Sequence, residues 1–203
     1  LVMDCVNLSD DRVDWNRFDR DRDGYVDMLW ILHAGPGAET NGVRRDFWSI
    51  TSSLSSGWSN AGAYITQDLL PGSLLQRMRV DRFSIVPELS GLQPGALAEI
   101  GIFCHEFGHA LGLPDLYDTA SLGGASNVGP GVWSLMSTGT YGGNGRSPQR
   151  PTNLGAWPLL FLGWANRARP VSDTTLTLVS TAAGGPVAEL WCSGENNPEH
   201  FLI

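Results

Sequence analysis

Hydrophobic and polar positions along this chain follow two periods. The first 27 residues are polar and rich in Asp. Residues 28–34 (MLWILHA) then form a short apolar run after a turn, which predicts a buried strand. Residues 35–61 carry Gly, Ser and Asn and read as loop, with a short element at 46–50. A brief strand is predicted at 63–65, a helical turn or two at 72–80, and a strand at 83–87 that stops at its proline. The clearest helix is predicted over 94–111. Pro94 suits its first turn, Gly112 its end, and Leu97, Ile100, Cys104, Phe107 and Leu111 recur at helical steps as one apolar stripe. Residues 121–131 read as a Gly-rich loop. Residues 152–162 predict a second helix, capped by Thr152 or Asn153 and kinked or split by Pro158. Residues 174–180 and 188–192 alternate as strands, and Phe201, Leu202 and Ile203 read as an interrupted one. Loops 35–61 and 121–150 are long enough to suggest substrate handling.

Composition narrows the classes. The chain has 203 residues and a formal charge of −8, and all 13 basic residues are Arg. A pI near 4.8 argues against a nucleic-acid-binding domain and against a polybasic membrane helix. No apolar run is long enough to span a bilayer. Apolar residues at 42%, with eight Trp, argue for a packed core over disorder. Leu1 in place of an initiator Met, and the apolar end, suggest a processed or trimmed piece of a longer protein. Three distant Cys exclude a thiolate zinc pair; Cys5 and Cys192 could form a bridge, or all three could be buried thiols.

The chemistry concentrates on the long helix. His105-Glu106-Phe107-Gly108-His109 is HExxH. Two His four residues apart share a helical face, so both imidazoles can reach one zinc with Glu106 near its open side. Both His fall off the apolar stripe, as ligands facing a cleft should. The string continues to HExxHxxGxxD. Gly112 can take the positive φ that turns the chain back, which brings Asp115 towards the metal as third ligand. Asp118 is the substitute third ligand, and Asp115 could instead be a turn residue after Pro114. Met136, in WSLMS 27 residues after His109, fits the turn beneath a metzincin zinc site. Cys104 points about 100° away from His105, into the stripe, and is not expected to act as a nucleophile.

A second candidate metal loop lies near the start. Asp19, Asp21 and Asp23 alternate before Gly24, as in the first half of an EF-hand calcium loop. The Tyr25 carbonyl and Asp27 would add ligands, while Trp30 stands where a full EF-hand has its bidentate Glu. The competing reading is a solvated Asp/Arg turn. His33 reads as a core or cleft residue, Glu39 as solvated or with a calcium or cleft role, and His200 as a surface residue.

HEFGHALGLPDLYD, WSLMS, DRDGYVDMLWILHAGPGAE and LGAWPLLFLGW resemble the immune inhibitor A family of secreted bacterial zinc metalloproteases, over roughly residues 14–165. The resemblance implies an α+β, metzincin-like zincin catalytic domain: a mixed twisted sheet, an active-site helix and two lobes flanking a cleft. It implies zinc on His105, His109 and Asp115, Glu106 as general base, and Met136 as the Met-turn residue. Residues 1–112 would form the N-terminal lobe with the calcium loop and active-site helix. Residues 113–170 would form the C-terminal lobe, and 171–203 the start of a following β-rich segment. Several metzincins carry a Tyr two residues after the Met; here that position is Thr138, which leaves Tyr141 as a candidate transition-state helper. The expected function is secreted zinc metalloendopeptidase, acting on protein or peptide substrates, with Zn2+ and Ca2+ as cofactors. The rival is a catalytically silent, calcium-dependent binding or adhesion module on the same fold. Intact His105, Glu106, His109 and Asp115 favour the enzyme.

Overall fold

The computed structural model describes residues 1–41, 46–56, 62–93, 95–119, 128–170, 175–191 and 200–203. Pro94, residues 121–127 of the Gly-rich loop, and Cys192 lie outside the described residues. The chain is mixed α and β, in two compact units: Leu1–Gly112 with Pro148–Arg150, and Leu113–Ser147 with Pro151–Ile203.

In the first unit, helix α1 (Val2–Ser9) precedes a 3-10 turn at Trp15–Phe18 and strand β1 (Leu29–Pro36). After a one-turn helix α2 (Ala38–Asn41) come β2 (Ile50–Ser53), β3 (Tyr64–Leu69), β4 (Arg77–Val80), β5 (Arg82–Leu89) and helix α3 (Ile100–Ala110). Strand β5 is central: β1 runs parallel to it and β2 antiparallel, pairing Thr51 with Ser84 and Ile50 with Ile85. Strands β3 and β4 form a separate hairpin.

Helix α1 hides in the Asp-rich start. Val2 and Val6, four residues apart, lie on one face. Val6 joins a cluster with Trp15, Val26, Met78 and Val80, and Val2 joins Ile31, Leu54 and Ile85. Asp10, just past its end, is buried and accepts from Trp15 Nε1 (3.0 Å), Tyr64 Oη (3.1 Å) and the Gln67 amide. Three donors make its burial affordable.

Several expectations are corrected. Residues 77–80 are strand rather than helix: Met78 and Val80 are buried while Arg77 and Arg79 are exposed, the period-two signature. The apolar Leu74 and Leu75 that mimic a helix are 90% exposed, in the turn before β4, where Ser73 Oγ accepts from the Leu75 and Gln76 amides. Strand β5 continues past Pro87. The β2 pairing ends at Ile85, so on that flank proline costs no ladder hydrogen bond. Helix α3 starts at Ile100, because the Ala96 carbonyl and Ala98 amide bond back to Ser90 and Glu88.

The expected apolar stripe of α3 is not its buried face. Leu97, Ile100 and Phe107 are exposed, and Gly101, His105, Glu106 and Gly108 are buried. The two glycines leave that face narrow, and it is a hydroxyl of β2 that meets it (Thr51 Oγ1 to Glu106 O, 2.9 Å). Cys5 and Cys104 are free thiols, and the Cys5–Cys192 pairing rests on a residue outside the described ones.

In the second unit, helix α4 spans Ala156–Phe161, not 152–162. The Thr152 amide and Asn153 carbonyl are committed to Gly139 and Leu135, so the helix begins after Gly155. Pro158 therefore falls in the first turn, where a missing N–H costs nothing. Residues 175–180 form no strand, and Leu176, Leu178 and Val179 are exposed. Strands β6 (Arg167–Ala168), β7 (Val187–Trp191) and β8 (His200–Leu202) form a small sheet with β7 in the middle.

Glu189 of β7 is buried between Arg167 (3.0 Å), Arg169 (2.8 Å) and His200 (3.7 Å). His200, expected as a surface residue, is exposed and also faces this carboxylate. Burial pushes the Glu189 carboxyl up, but the Arg169 hydrogen bond and the Arg167, Arg169 and His200 charges outweigh it and hold its pKa below the ordinary value. A lowered pKa contributes stability above the unfolded-state value and loses it as pH falls through the folded-state value. Wild type should therefore melt higher than Glu189→Gln at neutral pH, and the gap should close in acid. A gap constant across pH would refute the ion cluster.

Candidate metal centre and active site

Helix α3 stacks His105 and His109 one turn apart, with ring centroids 4.8 Å apart and planes perpendicular. Leu111 caps the helix, its amide bonded to the Phe107 and Gly108 carbonyls, and Gly112 leaves it at φ 90°, the left-handed turn the sequence calls for. Beyond it, ligand atoms of His105, His109 and Asp115 all lie within 4.8 Å of one another. Two imidazoles and a carboxylate are the donor set zinc takes when a fourth position is kept open, so these residues fit the metal. Asp118 is exposed and outside this group.

The Leu116 amide donates to the Met136 carbonyl (2.8 Å), so the residue after Asp115 is tied to the turn that carries Met136. That turn closes with the Ser137 amide on the Ser134 carbonyl (3.0 Å), and Met136 is fully buried in it. Thr138 opens a 3-10 turn that ends at Tyr141, whose carbonyl accepts from the Ser147 amide (2.7 Å). The Tyr141 side chain is half-buried.

Glu106 is 3% exposed. Its carboxylate Oε2 accepts from Thr51 Oγ1 at 2.8 Å, and Thr51 in turn meets Ser84 Oγ at 2.5 Å. Sequence reading missed both hydroxyls. They lie 55 and 22 residues from Glu106, and only the pairing of β2 with β5 brings them together. Burial raises the Cys104 thiol above its ordinary pKa, so it stays protonated at neutral pH and is a poor nucleophile.

The acidic loop is also assembled. Ligand atoms of Asp19, Asp21 and Asp27 lie within 4.8 Å of one another. Asp23 stands outside that group, its Oδ1 accepting from the Tyr25 amide (2.8 Å). Asp19 takes the Asp23 and Gly24 amides, and Gly24 turns at φ 88°. The Arg79 amide bonds the Gly24 carbonyl and the Val26 amide bonds the Arg79 carbonyl, which fastens the loop to β4. His33 is buried on β1, its Nδ1–H donating to the Ala34 carbonyl (3.0 Å) and its ring against Phe47. Glu39 is not simply solvated: it accepts from the Ser49 amide and hydroxyl (3.2 and 2.7 Å).

A histidine pair one helical turn apart, a glutamate between them and a convergent aspartate define a metallopeptidase type of site. Residues 7–164 match the immune inhibitor A peptidase M6 catalytic domain, and the chain belongs to that family. It is 31% identical over 207 residues to the pre-pro-metalloprotease PrtV of Vibrio cholerae serotype O1, a match covering 97% of this chain and 21% of the relative. It is 36% identical over 124 residues to immune inhibitor A of Bacillus thuringiensis subsp. alesti, covering 60% of this chain and 16% of the relative. The chain thus spans about a fifth of the length of the curated relatives it matches. No helix among the described residues is long and apolar enough to cross a membrane.

Met136 packs with no exposed surface, so truncating it leaves a cavity. Met136→Ala should cost about 2–5 kcal/mol of unfolding free energy in a urea titration, and a loss well below that range would mean the turn collapses around the gap.

Proposed function

We propose that this domain is a secreted, zinc-dependent endopeptidase of metzincin-like fold that hydrolyses peptide bonds in protein substrates. The observation that carries the reading is the convergence of His105, His109 and Asp115 beside a buried Glu106. Membership of a peptidase family supports peptides over other substrates, and it supports the enzyme over a silent binding module.

His105, His109 and Asp115 would hold the metal, with Met136 in the turn packed near its third ligand. Zinc, when bound there, would polarise the scissile carbonyl and lower the pKa of a water to roughly 7. Glu106 takes the proton of the attacking water at its carboxylate and returns it to the leaving amine. Tyr141 is the candidate donor to the developing oxyanion. Glu106→Ala should keep its zinc by elemental analysis and lose on the order of 10²–10⁴-fold in kcat on a peptide substrate. Chelation should silence wild type, and added zinc should restore it. A Glu106→Ala variant cleaving at the wild-type rate would sink this mechanism.

The loop of Asp19, Asp21 and Asp27, with Asp23 and the Tyr25 carbonyl, is read as a calcium site. Its attachment to β4 makes the role structural. Calcium at a hundredfold above its Kd should raise the melting temperature by roughly 5–10 °C. Asp19→Asn combined with Asp21→Asn should abolish the shift, and a wild-type melt indifferent to calcium would count against the site.

A further inference from the structure

Thr51 Oγ1 touches three oxygens: Glu106 Oε2 (2.8 Å), the Glu106 carbonyl (2.9 Å) and Ser84 Oγ (2.5 Å). A threonine hydroxyl has one proton to give. A main-chain carbonyl only accepts, and so does the carboxylate in the form a general base needs, so in that form the proton goes to Glu106. Ser84 must then be the donor towards Thr51. The direction of the chain is fixed: Ser84 to Thr51 to Glu106.

The two hydroxyls are held by more than their own contact. Thr51 and Ser84 are cross-strand partners of β2 and β5, and Ser84 has no exposed surface. Threonine is β-branched, so few χ1 rotamers compete with the observed one. Glu106 therefore meets a donor whose position is set by the sheet and not by the helix that carries Glu106. One hydroxyl grips both the side chain and the main chain of the same residue, which restrains the carboxylate relative to the helix axis.

We infer that Thr51 is a positioning residue for Glu106, with Ser84 orienting the Thr51 proton. This rests on Glu106 as general base. A mobile carboxylate would miss the geometry a proton transfer needs, and an anchored one keeps it between turnovers. The hydroxyl acts through the carboxylate, and a positioning effect of that kind falls on kcat and not on KM.

The test compares Thr51→Val, which keeps the shape and removes the hydroxyl, with Thr51→Ser, which keeps the hydroxyl. Ser84→Ala and Glu106→Ala complete the set. On a peptide substrate, Thr51→Val should lose about 10–100-fold in kcat, as removal of such supporting groups does elsewhere, with KM and zinc content near wild type. Thr51→Ser should recover most of that loss, and Ser84→Ala should fall between. In metal-free protein, Thr51→Val should lower the melting temperature markedly in the wild-type background and much less beside Glu106→Ala. Equal drops in the two backgrounds would mean that Thr51 does not act through Glu106, and would overturn the inference. Wild-type kcat in Thr51→Val, with Glu106→Ala inactive, would also overturn it while leaving the general base in place. Wild-type activity in Glu106→Ala would remove both. If Thr51→Val fails to fold, Thr51→Ser and Ser84→Ala decide: a kcat loss in Ser84→Ala and little in Thr51→Ser supports the relay, and wild-type rates in both refute it.

Discussion

A carboxylate with almost no exposed surface is costly unless donors surround it, and Glu106 sets that problem for the whole first unit. Helix α3 could have packed on its apolar stripe. It turns Gly101, His105, Glu106 and Gly108 inward instead, and leaves Ile100 and Phe107 outside. The arrangement is tolerable because β2 presents Thr51 where the carboxylate arrives. The register of β2 on β5 is thus a requirement of the site as well as of the sheet. Slipping it by one residue would turn Thr51 to the other face.

The site was legible where its chemistry is local. HExxH needs only helical spacing, and Gly112 and Asp115 follow within six residues of His109, so one short string carries the three donors that converge. Strands β1 and β7 were likewise visible, although β7 buries Val187, Ala188 and Glu189 in a row where alternation was expected. Readings failed where another segment decides. Residues 95–98 look helical until Ser90 and Glu88 claim their backbone groups. Residues 152–155 look helical until Gly139 and Leu135 do the same. Helix α1 leaves no clean stripe in the sequence: only Val2 and Val6 are buried on it, while Leu8 is exposed. Thr51 and Ser84 carry no local signal at all: an isolated hydroxyl in a strand looks the same whether or not a carboxylate lies opposite.

The acidity of the chain divides in a similar way. Some carboxylates are structural and buried, as Asp10 is among three donors and Glu189 beside two guanidinium groups. Others gather in the loop of Asp19, Asp21 and Asp27, where their oxygens lie within 4.8 Å of one another. Net charge alone reports none of this. The same −8 could come from a uniformly solvated surface.

The bond from the Leu116 amide to the Met136 carbonyl is made by main chain at both ends. Neither side chain takes part, so drift at positions 116 and 136 leaves that tether alone. Proline is the residue that position 116 cannot accept, because it alone lacks the hydrogen that fastens Asp115's neighbour in place.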